Sequence, residues 1–377
     1  MDKLVATVAV YWQHVQTTLF PYLQNAGIPL TPELEQLVSL LDLLRIEEAL
    51  THPAPSVGAP AKDRARLARA FVVKHALNLP TTKALRARLL ADVPLCRICG
   101  WDSPGQVPSE STFSRTFARF ADLGLAELVH AQRVREWLGE ALIWHQALDA
   151  TDIAAREAPQ PNPAPQYGRT ASGKRRKHPR SGRLAGRPRQ GASVEKSPTR
   201  LERQLTQAPE IALLELPTAC DTGYKPDPRG HPHYWVGYKF HVVTNEDGIP
   251  LSAVTTAASV HDSQAAIPLL RLTARRVTAL YDLMDRGYDA AAIRACSEAL
   301  GHVPIIPAAA TRSDHRPLEP DRARHYQGRT VAERFNARLK DDAGGRQLRV
   351  RGHRKVHAHL MFGLLVIFAG ALLRLAG

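Results

Sequence analysis

The sequence predicts an α/β fold in which a mixed sheet is flanked by helices and follows an all-α N-terminal region. Three observations predict this class. Apolar residues recur at helical spacing through residues 1–140. From residue 141 onward, short strand-like runs alternate with helical segments. A long insertion rich in Pro, Gly and Arg, at about 154–232, separates the first run from the others. We therefore expect a helical domain at 1–140 and an α/β domain at 141–377.

The N-terminal region contains clear helix signals. Thr31-Pro32-Glu33 combines a capping residue, a first-turn proline and an early acid. Residues 108–125 place Phe113, Phe117 and Phe120 on one helical face, with arginines on another face. This segment could be the second helix of a helix-turn-helix or a plain bundle helix with solvated arginines. Both interpretations stay open at this stage.

The α/β part begins with the run ALIWHQALDAT at 141–151, which predicts a strand that ends at Asp149. The predicted order is then strand, strand, helix, strand, helix, strand and helix. The two strands after the insertion are joined by the turn NEDG at 245–248. The fourth strand ends at Asp285, with Gly287 just beyond it. After the insertion, strands are predicted at 234–244, 250–259, 277–285 and 302–308. Helices are predicted at 262–276 and 291–300.

The excess of positive charge lies in two short segments. The chain has 50 Lys and Arg against 36 Asp and Glu, a formal charge of +14. Residues 169–189 hold nine Lys or Arg and no acid, and residues 346–355 hold five more and no acid. The rest of the chain is neutral, which favours a polyanion partner, with DNA as the leading candidate. The residues of the first segment that we expect to contact DNA are Lys174, Arg175, Arg176, Lys177, Arg187 and Arg189.

Three carboxylates from distant parts of the chain are candidates for one site. Asp149 and Asp285 end predicted strands, and Glu333 lies on the last predicted helix. Gathered carboxylates repel one another unless cations are present, and Mg²⁺ is held by such oxygens. Two ions can activate the attacking oxygen and stabilise the leaving oxygen in phosphodiester chemistry. Of the competing acids, Asp152 is expected in a turn and Asp282 on the opposite side of its strand.

The stretch YQGRTVAERFNARLK at 326–340, interpreted as one helix, has two different faces. Tyr326, Arg329, Glu333 and Lys340 share one face, at relative positions 0, 3, 7 and 14. Val331, Phe335 and Leu339 share the other face, which we expect to pack on a core. The pair Arg329 and Glu333 could be no more than a weak surface ion pair.

These motifs resemble those of insertion-sequence transposases of the DDE type, over about residues 141–373. LDAT around Asp149 and DRGYD at 285–289 are similar to the first two acid motifs of that family. GYKFH at 237–241 and VHDS at 260–263 are similar to blocks between them. Residues 326–340 match the Y-R-E-K signature of one large subclass in residue type and spacing.

The resemblance implies a ribonuclease-H-like catalytic core that holds two Mg²⁺ ions, with Mn²⁺ as a substitute. Glu333 would be the third metal ligand, and Tyr326, Arg329 and Lys340 would contact the transposon end. The N-terminal region is loosely similar to the helical end-binding domain of such enzymes. The expected activity is cleavage at the element's terminal repeats and joining of the 3′-hydroxyl ends to target DNA, with a homodimer in the DNA complex.

Two alternatives stay open at the level of sequence. One is a DNA-binding protein that is derived from a transposase and has lost catalysis. The other is a nuclease with the same core and no strand transfer. The start of the chain does not resemble a secretory leader, and the apolar run at 360–373 is short for a bilayer. We therefore expect a cytoplasmic protein with no membrane partner.

Overall fold

The computed structural model describes residues 2–50, 64–160, 198–226, 230–308 and 317–375. The basic segment 169–189, with the six Lys and Arg residues predicted to contact DNA, lies outside the described residues. The sequence also predicts that the insertion at about 154–232 is partly disordered, and for residues 169–189 this prediction lies outside the described residues as well.

The N-terminal region is helical, as predicted. Thr31 caps its helix by accepting a hydrogen bond from the Leu34 backbone N–H at 3.3 Å. Ser109 occupies the capping position of the helix that carries the three phenylalanines, and those rings are buried in the core. The helices are α1 (Asp2–His14), α2 (Phe20–Asn25), α3 (Pro32–Leu44), α4 (Arg64–Ala76), α5 (Thr82–Ala91), α6 (Val93–Ile98), α7 (Glu110–Leu123) and α8 (Leu125–Leu138).

Six strands form one mixed sheet in the part of the chain that the structure describes. They are β1 (Leu142–Ala154), β2 (Asp221–Pro226), β3 (Pro232–Asn245), β4 (Pro250–Ala257), β5 (Thr278–Met284) and β6 (Val303–Ile305). The order is β2-β3-β1-β5-β6, and β4 pairs with the second half of β3. The central strand β1 is antiparallel to β3 and parallel to β5. The predicted mixed sheet is therefore confirmed.

The helices that flank this sheet are α9 (Arg200–Gln204), α10 (Pro209–Leu214), α11 (Ser263–Ala274), α12 (Ala291–Ala299), α13 (Pro320–Tyr326), α14 (Thr330–Asp341) and α15 (His353–Leu375). α9, α10 and β2 all lie in the stretch 154–232, where the sequence predicted no regular structure. The short helix α9 has a capping box formed by Thr199 and Glu202. β2 is an edge strand that pairs with the start of β3.

Two predicted boundaries were wrong. Asp149 does not end its strand, because Thr151 and Ile153 continue the ladder to Phe240 and Tyr238 of β3. Asp152 is accordingly a strand residue and does not lie in a turn. The predicted single helix over 326–340 is also interrupted, since residues Gln327–Arg329 form a 3₁₀ turn between α13 and α14.

The last helix, α15, is the centre of the N-terminal helical layer. It packs against α3, α4, α7 and α8 and contacts β4. By length and composition, it is the one helix among the described residues that could cross a membrane, but 78% of its apolar window is buried inside the fold. The helical region and the sheet share one continuous core through α15. The division at residue 140 and the cytoplasmic location stay predictions.

Candidate active site

Asp149 lies in the middle of β1, opposite Val242 of β3, with its side chain 18% exposed. Its carboxylate faces α14 and the turn before it. Asn336 Nδ2 donates a hydrogen bond to Asp149 Oδ2 at 3.0 Å, and Arg329 Nη1 lies 4.0 Å from Asp149 Oδ1. Two residues of the last predicted helix therefore contact a carboxylate that is 180 or more positions earlier in the sequence.

Asp285 follows the last residue of β5 and begins the 3₁₀ turn Arg286–Tyr288. Its Oδ1 accepts a hydrogen bond from the Gly287 backbone N–H at 2.8 Å. A Cβ at Gly287 would lie 3.0 Å from that same oxygen, so a larger residue would crowd the carboxylate. The pair Asp285 and Gly287 thus forms a compact turn that places a carboxylate at the edge of the sheet next to β1.

Tyr326 is the last residue of α13, and Arg329 is the last residue of the 3₁₀ turn between α13 and α14. The Arg329 guanidinium is 5.7 Å from the centre of the Tyr326 ring and is also ion-paired with Glu333. The turn between them passes close to β5, because a Cβ at Gly328 would lie 3.2 Å from Leu283. The Arg329 side chain thus pairs with Glu333 and also lies 4.0 Å from the Asp149 carboxylate.

The apolar face of α14 attaches the helix to the fold as predicted. Val331, Phe335 and Leu339 are 6%, 2% and 0% exposed. Ala332 joins Leu283 in a small buried cluster on the side of β5. The helix is thus fixed from one side, while Glu333 remains about half exposed on the other.

Lys340 is engaged within the chain. Its Nζ donates to Asp152 Oδ1 at 2.8 Å, and the Lys340 side chain is 18% exposed. Burial raises the pKa of Asp152, but the hydrogen bond and charge of Lys340 outweigh burial, so the net pKa lies below its ordinary value. Asp152, which we had excluded from the site, is therefore the partner of a residue that the sequence assigned to DNA.

Asn336 is a site residue that the sequence analysis missed. It is 6% exposed, and its Oδ1 has no hydrogen-bond partner among the described residues. The sequence contained a usable signal, since Asn336 is three residues after Glu333 and four before Lys340. That spacing puts it on the same helical stripe.

The site has a carboxylate with a strongly shifted pKa. Burial raises the pKa of Asp149 from 3.8 to about 6, against the opposing charge of Arg329, and the negative charge of Asp285 adds to the rise. Burial also raises the pKa of Tyr288, and the charges of Asp149 and Asp285 contribute to this rise. The charge of Asp285 therefore acts on Asp149.

Asp282 is separate from this site, as predicted. It is 1% exposed and accepts hydrogen bonds from Gln146 and Ser297, with His302 Nδ1 3.1 Å away. His241 is fully buried against Thr256. Among the described residues, no group of three or more His, Cys, Asp or Glu side chains stands close enough to hold a metal ion. Glu333 is turned to Arg329 instead.

Residues 140–369 match the family described as Transposase DDE domain, and this match covers more than half of the chain. The chain belongs to the DDE transposase family. The match includes the three candidate carboxylates, Asp149, Asp285 and Glu333. A second match, described as Transposase domain (DUF772), covers residues 24–119 of this DDE transposase. The predicted resemblance is therefore confirmed.

A curated relative agrees with this assignment. The DDE transposase is 31% identical over 151 residues to a putative transposase for insertion sequence element IS402 from Burkholderia cepacia. The alignment covers 37% of this chain and 64% of that protein. The chain thus spans less than two thirds of the relative that it matches. No solved structure matches the chain significantly.

Proposed function

We propose that the protein binds the ends of an insertion sequence, cleaves phosphodiester bonds there and joins the 3′-hydroxyl ends to target DNA. The family matches support DNA as the partner. We further propose that the sheet is a ribonuclease-H-like core, because its central strand pairs antiparallel with one neighbour and parallel with the other. A homodimer in the DNA complex is part of the same proposal.

The residues that would hold divalent ions are Asp149, Asp285 and Glu333. Their donors are carboxylate oxygens, which suit Mg²⁺ or Mn²⁺. Asp149 supports this proposal because it is a mostly buried carboxylate whose pKa is raised by burial and by Asp285. Asn336 Oδ1, which has no hydrogen-bond partner within the described segments, adds a further oxygen close to the same carboxylate. Bound ions would supply a nucleophile at neutral pH and stabilise charge on the phosphate.

The chain's own residues would position the DNA and the carboxylates. Asn336 holds Asp149 in one orientation by donating to its Oδ2. Arg329 has a guanidinium suited to phosphate oxygens, and Tyr326 offers a stacking face beside it. In the present arrangement Arg329 is ion-paired with Glu333 and lies 4.0 Å from Asp149. For Arg329 to contact DNA, Glu333 must release Arg329 and bind an ion instead. Lys340 would likewise exchange Asp152 for a phosphate.

One observation carries the proposal. Arg329, Glu333 and Asn336 lie within eight positions on and just before α14, and two of them contact Asp149 of β1. A solvated charged helix would leave these residues in water. A surface ion pair alone would not explain why a mostly buried aspartate has both the amide of Asn336 on α14 and the guanidinium of Arg329 in the preceding turn beside it.

The test is incubation of the protein with Mg²⁺ and duplex DNA that carries the segments flanking its gene. Nicked products and joined products are scored separately. Asp285→Asn is the informative variant, because an amide oxygen can still accept from the Gly287 N–H and preserve the turn. Asp321→Asn is the matched control, since Asp321 is an exposed acid on α13.

We expect the wild type and the Asp321 variant to cut and join DNA. The Asp285 variant should bind DNA and fail to cut, because a neutral amide cannot replace the carboxylate charge that holds an ion. Normal cutting by the Asp285 variant in Mg²⁺ would remove Asp285 from the catalytic set. Nicks without joined products would favour the nuclease alternative, and binding without cleavage by the wild type would favour the non-catalytic one.

A further inference from the structure

A pocket of about 450 Å³ lies where the helical N-terminal region meets the segment before α15. Its walls come from α4, from the first turn of α5, from α7, and from residues 349–359. Neither the three carboxylates nor the Tyr326–Lys340 stripe contributes to it. The charged and hydroxyl side chains that line it include Lys74, Thr82, Glu110, Arg349, Arg351 and Lys355.

Lys74 is the central observation. It lies on α4, is only 7% exposed, and lines this pocket. Among the residues that the structure describes, its ammonium has no hydrogen-bond acceptor or carboxylate partner. Burial lowers its pKa to about 8, and no nearby acid opposes this effect. The ammonium opens into the pocket, where an anion from outside the chain would compensate the partial desolvation of its charge.

The neighbouring histidines do not supply negative charge. His75 Nδ1 lies 2.9 Å from the Phe71 carbonyl, His359 Nε2 lies 3.0 Å from the Gly344 carbonyl, and the two rings meet at His75 Nε2 and His359 Nδ1, 3.2 Å apart. Burial, together with the charge of Lys74, lowers the pKa of His75 far below its usual value and that of His359 to about 3. Neither ring carries a negative charge, so neither compensates Lys74.

The second cationic segment of the sequence lines the same pocket. Arg349, Arg351 and Lys355 are exposed there, and none of them has an ion-pair partner in the described part of the chain. The first turn of α5 adds the positive end of a helix dipole at Thr82. Glu110, which is exposed, is the acid in the wall. The pocket therefore carries a clear excess of positive charge.

We propose that this pocket binds a backbone phosphate of DNA, with Lys74 as its buried contact and Arg349, Arg351 and Lys355 along its rim. DNA is favoured over a free phosphate ion because the cations continue along an open rim, as a strand of successive phosphates requires. Two regions of the chain form the pocket, so a bound strand would bridge α4 and α5 to the segment before α15. The inference rests on the proposed DNA partner.

The test uses Lys74→Met and Lys355→Ala, with Arg354→Ala as the control. Arg354 is a neighbouring cation of the same segment, but it is 77% exposed and faces Asp122 of α7 instead of the pocket. Binding of a 30-base-pair duplex of arbitrary sequence is followed by fluorescence anisotropy across a salt series. Melting temperatures without DNA are measured for all four proteins.

Each pocket variant should weaken DNA binding roughly tenfold, as expected for loss of one charged hydrogen bond. Each should also reduce the slope of log K against log salt by about 0.9, while Arg354→Ala changes both quantities far less. Lys74→Met should melt at or above the wild-type temperature, because it removes a buried charge. Inorganic phosphate at millimolar concentration should not displace the duplex.

Two results would overturn the inference. One is equal binding and equal salt slopes for the pocket variants and the Arg354 variant. The other is a Lys74→Met protein that melts lower but binds DNA normally, which would make Lys74 a structural residue. A wild type that binds DNA with the expected slopes but never cleaves it contradicts the proposed function and leaves the pocket supported. A wild type that binds no DNA contradicts both.

Discussion

Asp149→Asn should stabilise the protein in the absence of divalent ions. Burial raises the pKa of Asp149 from 3.8 to about 6, so the folded state disfavours the ionised form. The difference between these two pKa values corresponds to about 3 kcal/mol in the free energy of unfolding, at 1.36 kcal/mol for each pKa unit. This is an upper value, because the new amide also needs hydrogen-bond partners. We therefore expect a gain of about 1–3 kcal/mol in the free energy of unfolding at pH 8.

The pH dependence of this gain has a definite sign. Below pH 3.8 Asp149 is protonated in both states, and the substitution should change little. Between pH 3.8 and about 6 the unfolded state ionises before the folded state does, so the wild type loses stability as pH rises. The advantage of the Asn variant should grow through this window and become constant above it. Urea unfolding at several pH values measures it directly.

Asp152→Asn is the matched control, three residues along the same strand. Lys340 lowers the pKa of Asp152, so this carboxylate stabilises the fold above its ordinary pKa, and that stability is lost as pH falls. The Asp152 variant should therefore be destabilised at pH 8 and approach the wild type in acid. If Asp149→Asn and Asp152→Asn changed the free energy of unfolding in the same direction and with the same pH profile, the electrostatic description of the site would be refuted. A loss of stability in Asp149→Asn at pH 8 would refute it as well.

Three further predictions concern the helix α14 and the basic insertion. Phe335→Ala should destabilise the fold by roughly 3–5 kcal/mol, because its ring is 2% exposed, and thermal unfolding measures this cost. Arg329→Ala should impair DNA cleavage or end-complex formation far more than stability, since Val331 and Leu339 still attach the helix. Paired melting and cleavage assays check it, and normal cleavage would reduce Arg329 to a local ion pair. Deletion of residues 169–189 should flatten the salt dependence of DNA binding, because its nine cations would release counterions from phosphates. An unchanged slope would show that this segment does not touch DNA.

The sequence predicted the elements of the sheet better than their ends. The strand containing Asp149 was expected to stop there, shortly before the stretch rich in Pro, Gly and Arg. Its true end at Ala154 depends on pairing with Tyr238 and Gly237 of β3, about 85 positions later in the chain. β2 also lies inside a segment whose composition indicated an irregular insertion, and it forms by pairing with the next strand, β3, from Pro226 opposite Pro232 to Asp221 opposite Gly237. Local propensity carries no information about such partners.

The sequence identified the candidate acids of the site, but it did not predict which side chains contact one another there. Periodicity separated the buried face of α14 from its polar face, which packing confirms at Phe335. The break before α14 follows from contact with β5 at Gly328, which a helical wheel does not represent. The pairing of Lys340 with Asp152 likewise depends on where the strand continues. Asn336 lies on the same stripe but is uncharged, so the pattern of charged residues does not indicate it.

The most direct test of the central claim is Mn²⁺ binding to the DNA complex, followed by electron paramagnetic resonance. The wild type should bind close to two ions for each active site, and Asp285→Asn and Glu333→Gln should each lose most of that binding. The exposed control Asp321→Asn should bind like the wild type. Equal Mn²⁺ binding by all four proteins would contradict a metal site built from Asp149, Asp285 and Glu333.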